Sequence, residues 1–169
     1  MMFWVGDDGV GVRNLIGYDR FMFEVPIKVL VDDDSVQIPE PNRSGDAAAD
    51  LRANESLIVP AGERMIVGTG LAVAIPEEAC GLVLPRSGLA FKHGITVLNS
   101  PGLIDSGYRG EIRIILLNTS TEDFKIASGD RIAQLLIVGL SKVAFIASQD
   151  LPDGPDDRGA AGFGSSGVS

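Results

Sequence analysis

The sequence predicts an all-β subunit, a sandwich, barrel or jelly roll, on three observations. Short β-favouring runs recur from residue 55 to 148, turn signals separate them, and no apolar period of 3.6 is long enough for a packed helix. The runs cover residues 64–67, 71–75, 81–84, 95–98, 111–117, 124–126, 131–138 and 142–146. Their punctuation is Pro60-Ala61-Gly62, Pro76-Glu77-Glu78, Pro101-Gly102, Ser106-Gly107 and Ser128-Gly129-Asp130. Strands spaced this closely fold back on one another in antiparallel sheets. One helical turn is expected after Ser87, whose hydroxyl can cap Gly88-Leu89-Ala90-Phe91-Lys92, with Gly94 as the stop.

The bulk properties narrow the function. Of 169 residues, 45% are hydrophobic and 22% charged, which suits one domain with a core of its own. A net charge of −9 repels a polyanionic backbone, so no nucleic-acid partner is expected. A small phosphorylated ligand stays compatible, because a few arginines and a divalent cation make a local anion site on an acidic protein. The single cysteine, Cys80, excludes an intrachain disulfide framework and multi-cysteine metal sites, which fits a reducing compartment. The amino terminus lacks the basic start and long apolar stretch of a secretory signal, and no apolar run approaches the ~20 residues of a membrane span. The expectation is a cytoplasmic protein with no membrane partner.

Three segments follow. Residues 1–24 show no clear pattern and read as an extension, or as an upstream start ahead of Met22. Residues 25–150 form the β-domain. Residues 151–169, with Pro152, Gly154, Pro155, three aspartates and a glycine-serine tail around Phe163, read as a mobile arm.

Several motifs could carry chemistry. Gly162-Phe163-Gly164-Ser165-Ser166-Gly167 matches the dinucleotide fingerprint literally, but no helix can follow it to hold a pyrophosphate. It is either a plain tail or an arm whose amides wrap a phosphate. Pro85-Arg86-Ser87-Gly88-Leu89-Ala90 offers a guanidinium and amides suited to phosphate oxygens, or is simply a capped turn. A Ser87 nucleophile would need a positioned base, and His93, the single histidine, lies six residues away in the same turn region. His93 reads as a packing or surface residue. The stretch from Asn99 to Glu111 sets Asp105 and Tyr108 on a turn, where a carboxylate can deprotonate water and an aromatic can support a sugar; the plain alternative is a solvated hairpin. Gly129-Asp130-Arg131-Ile132-Ala133-Gln134 is a turn entering a core strand, with Gln134 facing inward as one option.

In order along the chain, these segments resemble the five motifs of the trimeric dUTPase family. The first is Ala48-Ala49-Asp50-Leu51-Arg52-Ala53, and the second to fourth are those just described. The fifth is Arg158-Gly159-Ala160-Ala161 followed by the glycine-rich hexapeptide. Three positions depart from the family pattern: Ala48 and Ala161 replace glycines, and Arg52 stands where an aromatic is common. If the closed arm needs a positive φ at residue 161, alanine there adds roughly 1 kcal/mol of strain.

The resemblance implies a distorted jelly-roll or β-barrel subunit, a homotrimer with exchanged carboxy-terminal arms, and sites at subunit interfaces. It implies hydrolysis of dUTP to dUMP and pyrophosphate, which lowers dUTP and supplies dUMP for thymidylate synthesis. Asp105 would activate the water, and Mg²⁺ would accompany the triphosphate. Arg86, Ser87, Gly88, Gln134 and Arg158 would hold phosphates. Asn99 and the hairpin backbone would read uracil, with Leu103, Ile104 and Arg113 lining the pocket. Tyr108 would exclude a 2′-hydroxyl, and Phe163, with Gly164 and Ser165 on the arm, would cover the base. Asp50 would act on the metal through water, or be structural. Two rivals stand beside this: the dCTP deaminase branch, including its bifunctional members, and a non-catalytic regulatory dUTP-binding protein. The deaminase branch resembles a different third motif, without the Gly107-Tyr108-Arg109-Gly110-Glu111 run, and the presence of Asp105, Tyr108 and Arg158 weighs against the binding protein.

Overall fold

Alternating side chains along β10 (Glu111–Asn118) show how the subunit is built: Ile112, Ile114, Leu116 and Asn118 are buried, while the residues between them face outward. A computed structural model describes residues 5–6, 9–10, 23–31 and 36–152. Before β10 come β1 (Val5–Gly6), β2 (Gly9–Val10), β3 (Ile27–Val29), β4 (Ala49–Arg52), β5 (Leu57–Val59), β6 (Arg64–Val73), β7 (Ala79–Leu84), α1 (Ser87–His93), β8 (Ile95–Val97) and β9 (Gly102–Ile104). After it come β11 (Phe124–Ile126) and β12 (Arg131–Gly139).

Two four-stranded antiparallel sheets, β3-β6-β10-β8 and β4-β12-β7-β9, are accompanied by two-stranded ladders, β5–β11 and β1–β2. The strand order skips along the chain in both large sheets, as in a jelly roll. One apolar cluster draws on both, with Val67, Ile95, Ile112, Ile114 and Leu116 from the first and Leu51, Val83, Ile132 and Leu135 from the second. The sheets therefore pack face to face around a shared core. Phe23, Val25 and Ile27 lie against its edge, so the β-domain is already engaged two residues before Val25.

The all-β expectation holds, with particular differences. The runs at 64–67 and 71–75 are one strand, β6, interrupted by a bulge. Glu111 pairs with Ala72 and Arg113 with Gly68, so Thr69, Gly70 and Leu71 together oppose Ile112. Strands β3, β4, β5 and β9 were not anticipated as strands. They have three or four residues each, of which at most two are buried, too few to show a period. Conversely, residues 142–146 form no strand: among the described residues none pairs with them, and Val143, Phe145 and Ile146 are 69%, 97% and 85% exposed.

Helix α1 stands where expected and stops at Gly94, in the left-handed region. Its start is shifted, however. Arg86, extended at φ −92° and ψ 124°, takes the cap position, and Ser87 is the first helical residue without a capping bond. The Arg86 side chain turns away to other partners, described next. His93, exposed at the end of α1, tilts against Phe124 with ring centroids 5.1 Å apart.

Candidate active site

The β4-β12-β7-β9 sheet gathers the polar motif residues at one end. Gln134 of β12 is opposite Asp50 of β4 on one side and Leu84 of β7 on the other, and Arg86 follows Leu84 by two residues. Asp50 is 7% exposed, and a buried carboxylate needs partners. It has three. Asn42 Nδ2 donates to Oδ2 at 2.8 Å, Arg86 Nε to Oδ1 at 3.0 Å and Arg131 Nη1 to Oδ2 at 3.4 Å. Burial raises the Asp50 pKa, but the Asn42 amide and the charges of Arg86 and Arg131 outweigh it and hold the carboxyl below its ordinary range.

Arg86 also donates from Nη1 to the carbonyl of Arg131 at 3.1 Å, so two of its nitrogens are fixed, and Nη2 has no hydrogen bond among the described residues. A cavity of about 270 Å³ opens here, lined by Arg86, Leu89, Phe124, Asp130, Arg131 and Ile132. Ser87 and Gly88 are exposed on the first turn of α1 beside Arg86.

A second cavity, of about 150 Å³, lies at the hairpin that β9 opens. Asn99, Gly102, Leu103, Ile104, Tyr108 and Arg113 line it, over a floor that includes Val83 and Ile112. Ile104, 7% exposed, belongs to the core as well, whereas Leu103 is 63% exposed. Strand β9 pairs with β7, Gly102 opposite Val83, and the Ser100–Pro101 bond that precedes it is cis. Asp105 is exposed directly after Ile104, and its carbonyl accepts the Tyr108 amide at 3.0 Å, which closes the turn carrying both side chains. This cavity is smaller than the ~300 Å³ at the low end of small-molecule sites, so it takes part of a ligand, not a whole nucleotide.

The expected site residues thus fall into two groups within one chain. Asn99, Leu103, Ile104, Tyr108 and Arg113 surround one cavity, Arg86 and Arg131 line the other, and the two linings share no residue; Asp50 lies behind the arginines through its ion pairs, with Gln134 beside it in the β4–β12 register. Arg158, Phe163, Gly164 and Ser165 lie outside the described residues. Two polar partners escaped the sequence reading: Asn42, which no motif marks, and Arg131, which stands inside the fourth motif without a role. Among the described residues, no three His, Cys, Asp or Glu side chains converge on a point that could hold a metal.

A jelly-roll subunit with an arginine-lined cavity and a separate smaller one at the β9 hairpin is the class of protein that the fold and its surface define. Known proteins make that class specific. The family described as dUTPase matches residues 34–167. The deoxyuridine 5'-triphosphate nucleotidohydrolase of Leifsonia xyli subsp. xyli is 49% identical over 134 residues, 79% of this chain and 87% of the relative. That of Clostridium acetobutylicum is 46% identical over 144 residues, 85% of this chain and 98% of the relative. Among solved structures, Staphylococcus bacteriophage 80alpha dUTPase with dUPNHPP matches with a TM-score of 0.78 at 28% identity, covering 87% of this chain and 100% of that one. The chain belongs to the dUTPase family.

Proposed function

We propose that the chain hydrolyses dUTP to dUMP and pyrophosphate, in a homotrimer whose sites are shared between subunits. The observation that carries the chemistry is the ring-sized cavity at the hairpin that also holds Asp105 and Tyr108. Asp105 takes a proton from water as the water oxygen attacks the α-phosphorus; the bond from that phosphorus to the bridging oxygen breaks and pyrophosphate leaves. Asn99 and the hairpin backbone read the uracil edge, Leu103, Ile104 and Arg113 bound the cavity, and Tyr108 lies against the sugar. Arg86, with Ser87, Gly88 and Gln134, binds phosphate oxygens. Arg158, Phe163, Gly164 and Ser165 complete the site from the arm.

Mg²⁺ supplies charge neutralisation on the triphosphate. The donor set fits a cation that arrives with the substrate: both Asp50 oxygens already accept hydrogen bonds, so Asp50 would reach the ion through a water, as Mg²⁺ sites commonly allow. Asp50 then acts chiefly by fixing Arg86.

Two features support sharing between subunits. The cavities that would bind the base and the phosphates share no lining residue, and the apolar side chains of Val143, Phe145 and Ile146 are largely exposed. The test is pyrophosphate release with Mg²⁺ from dUTP, dCTP, dTTP and UTP in parallel, with and without EDTA. The expected result is release from dUTP alone, abolished by EDTA, and a loss of ~10²-fold or more in kcat for Asp105→Asn. Ammonia from dCTP would place the chain in the deaminase branch, and near-normal turnover by Asp105→Asn would overturn the assignment of the base.

A further inference from the structure

Sugar selection in the proposed site rests on Tyr108, yet this side chain is 45% exposed and sits in a surface turn. A ring that could swing aside would admit a ribose, so its discrimination depends on what holds it. Its hydroxyl donates to the main-chain carbonyl of Glu111 at 2.8 Å. The ring covers Gly110 so closely that a β-carbon at that position would lie 2.5 Å from the hydroxyl oxygen and 2.7 Å from Cζ. Glycine there lets the ring lie down; the bond to Glu111 keeps it down.

Glu111 is itself tied elsewhere. Its carboxylate accepts the Gly70 N–H at 2.8 Å, across the bulge of β6. Gly68 makes room for it, since a β-carbon there would be 2.7 Å from Glu111 Oε1. Gly70 adopts φ +68°, a conformation that glycine alone holds without strain, and sits between the ladder pairs. Its amide is thereby turned to the carboxylate, not to a neighbouring strand. The Thr69 hydroxyl donates to the Ile112 carbonyl at 2.7 Å and locks the next peptide.

From these contacts we infer that Glu111 is a positioning residue for Tyr108: it couples the ring to the β6 bulge and so sets the preference for deoxyribose over ribose. The inference rests on the reading of Tyr108 as the residue beside the sugar. The Glu111 carboxylate lines neither cavity. The carboxylate holds the backbone at residue 111, whose carbonyl holds the phenol, and the barrier to a 2′-hydroxyl is as stiff as that chain of contacts.

The experiment compares kcat/KM for UTP and dUTP, with Mg²⁺, in the wild-type protein and four variants. Glu111→Ala frees the backbone, and Tyr108→Phe removes the phenol's bond while leaving Glu111 and the bulge intact. Each is expected to raise the UTP/dUTP ratio by about 10-fold, on the scale of steric discrimination in a pocket. Glu111→Gln, whose amide oxygen still accepts from Gly70, retains the wild-type ratio. Tyr108→Ala raises it furthest. If Glu111→Ala lowers both substrates in proportion while Tyr108→Ala changes the ratio, the coupling is wrong and the sugar role of Tyr108 stands. If Tyr108→Ala leaves the ratio unchanged, the reading beneath the inference fails with it. Should Glu111→Ala not fold, Tyr108→Phe decides, and an unchanged ratio there overturns the proposal.

Discussion

At Asp50 the demands of folding and of ligand binding meet in one side chain. Its carboxylate joins β4, the loop before it, the end of β7 and the start of β12 through Asn42, Arg86 and Arg131. Because its pKa is lowered on folding, its ionised form favours the folded state. That contribution is complete above the ordinary aspartate range and is lost as pH falls through the lowered folded value. Asn42→Ala removes one of the bonds to the charge and is expected to lose about 1.5 kcal/mol of stability at pH 7. Urea unfolding of both proteins from pH 7 into the acid range tests the cause: the gap should narrow only as pH falls below the ordinary aspartate range, toward the lowered value at which folded Asp50 takes up its proton. A gap independent of pH would mean that Asn42 acts by packing alone. The sequence displayed Asp50, Arg86 and Gln134 as motif members, since each sits in a short local pattern. It could not display Asn42, which has no pattern around it, or the link to Arg131, 81 residues away, because register between distant strands joins them.

Among the elements, the long strands announce themselves and the short ones do not. Strand β10 alternates inward and outward side chains over eight residues, and such a period survives any neighbour. Strand β9 has three residues, and Pro101-Gly102 marks it as a turn; only pairing with β7 makes it a strand. The end of β10 breaks its own apolar pattern with Asn118, which is fully buried. Its Nδ2 donates to the carbonyls of Val59 and Glu122, and its Oδ1 accepts from the amide and hydroxyl of Ser120. One amide thus fastens β10 to β5 and closes the turn toward β11. Asn118→Ala removes the side-chain donor to the Val59 carbonyl in the core and the acceptor for the Ser120 amide, so a loss of about 3 kcal/mol is expected in urea unfolding. A loss under about 1 kcal/mol would show that water replaces these bonds. Since Asn118 lines neither cavity, the folded variant should retain its kcat.

For the whole molecule, the decisive question is which chain supplies each half of a site. The 142–146 segment leaves Phe145 almost wholly in water, an arrangement a second subunit would relieve by covering it. Sites assembled from the hairpin of one subunit and the Arg86 cluster of another make a demand that a self-contained subunit does not. Asp105→Asn and Arg86→Ala should each inactivate every site in a uniform trimer. Co-expressed in equal amounts, the two variants form mixed trimers, and a site regains both residues when an Arg86→Ala chain contributes the hairpin and an Asp105→Asn chain the arginine. Random assembly gives that pairing in about a quarter of sites, so roughly a quarter of the wild-type rate should return. A subunit that builds its whole site from its own residues recovers nothing, however the chains are mixed. Light scattering on the same sample fixes the mass at three chains or refutes the trimer. Activity that returns at that mass requires both shared sites and assembly, because neither alone can bring Asp105 of one variant to Arg86 of the other.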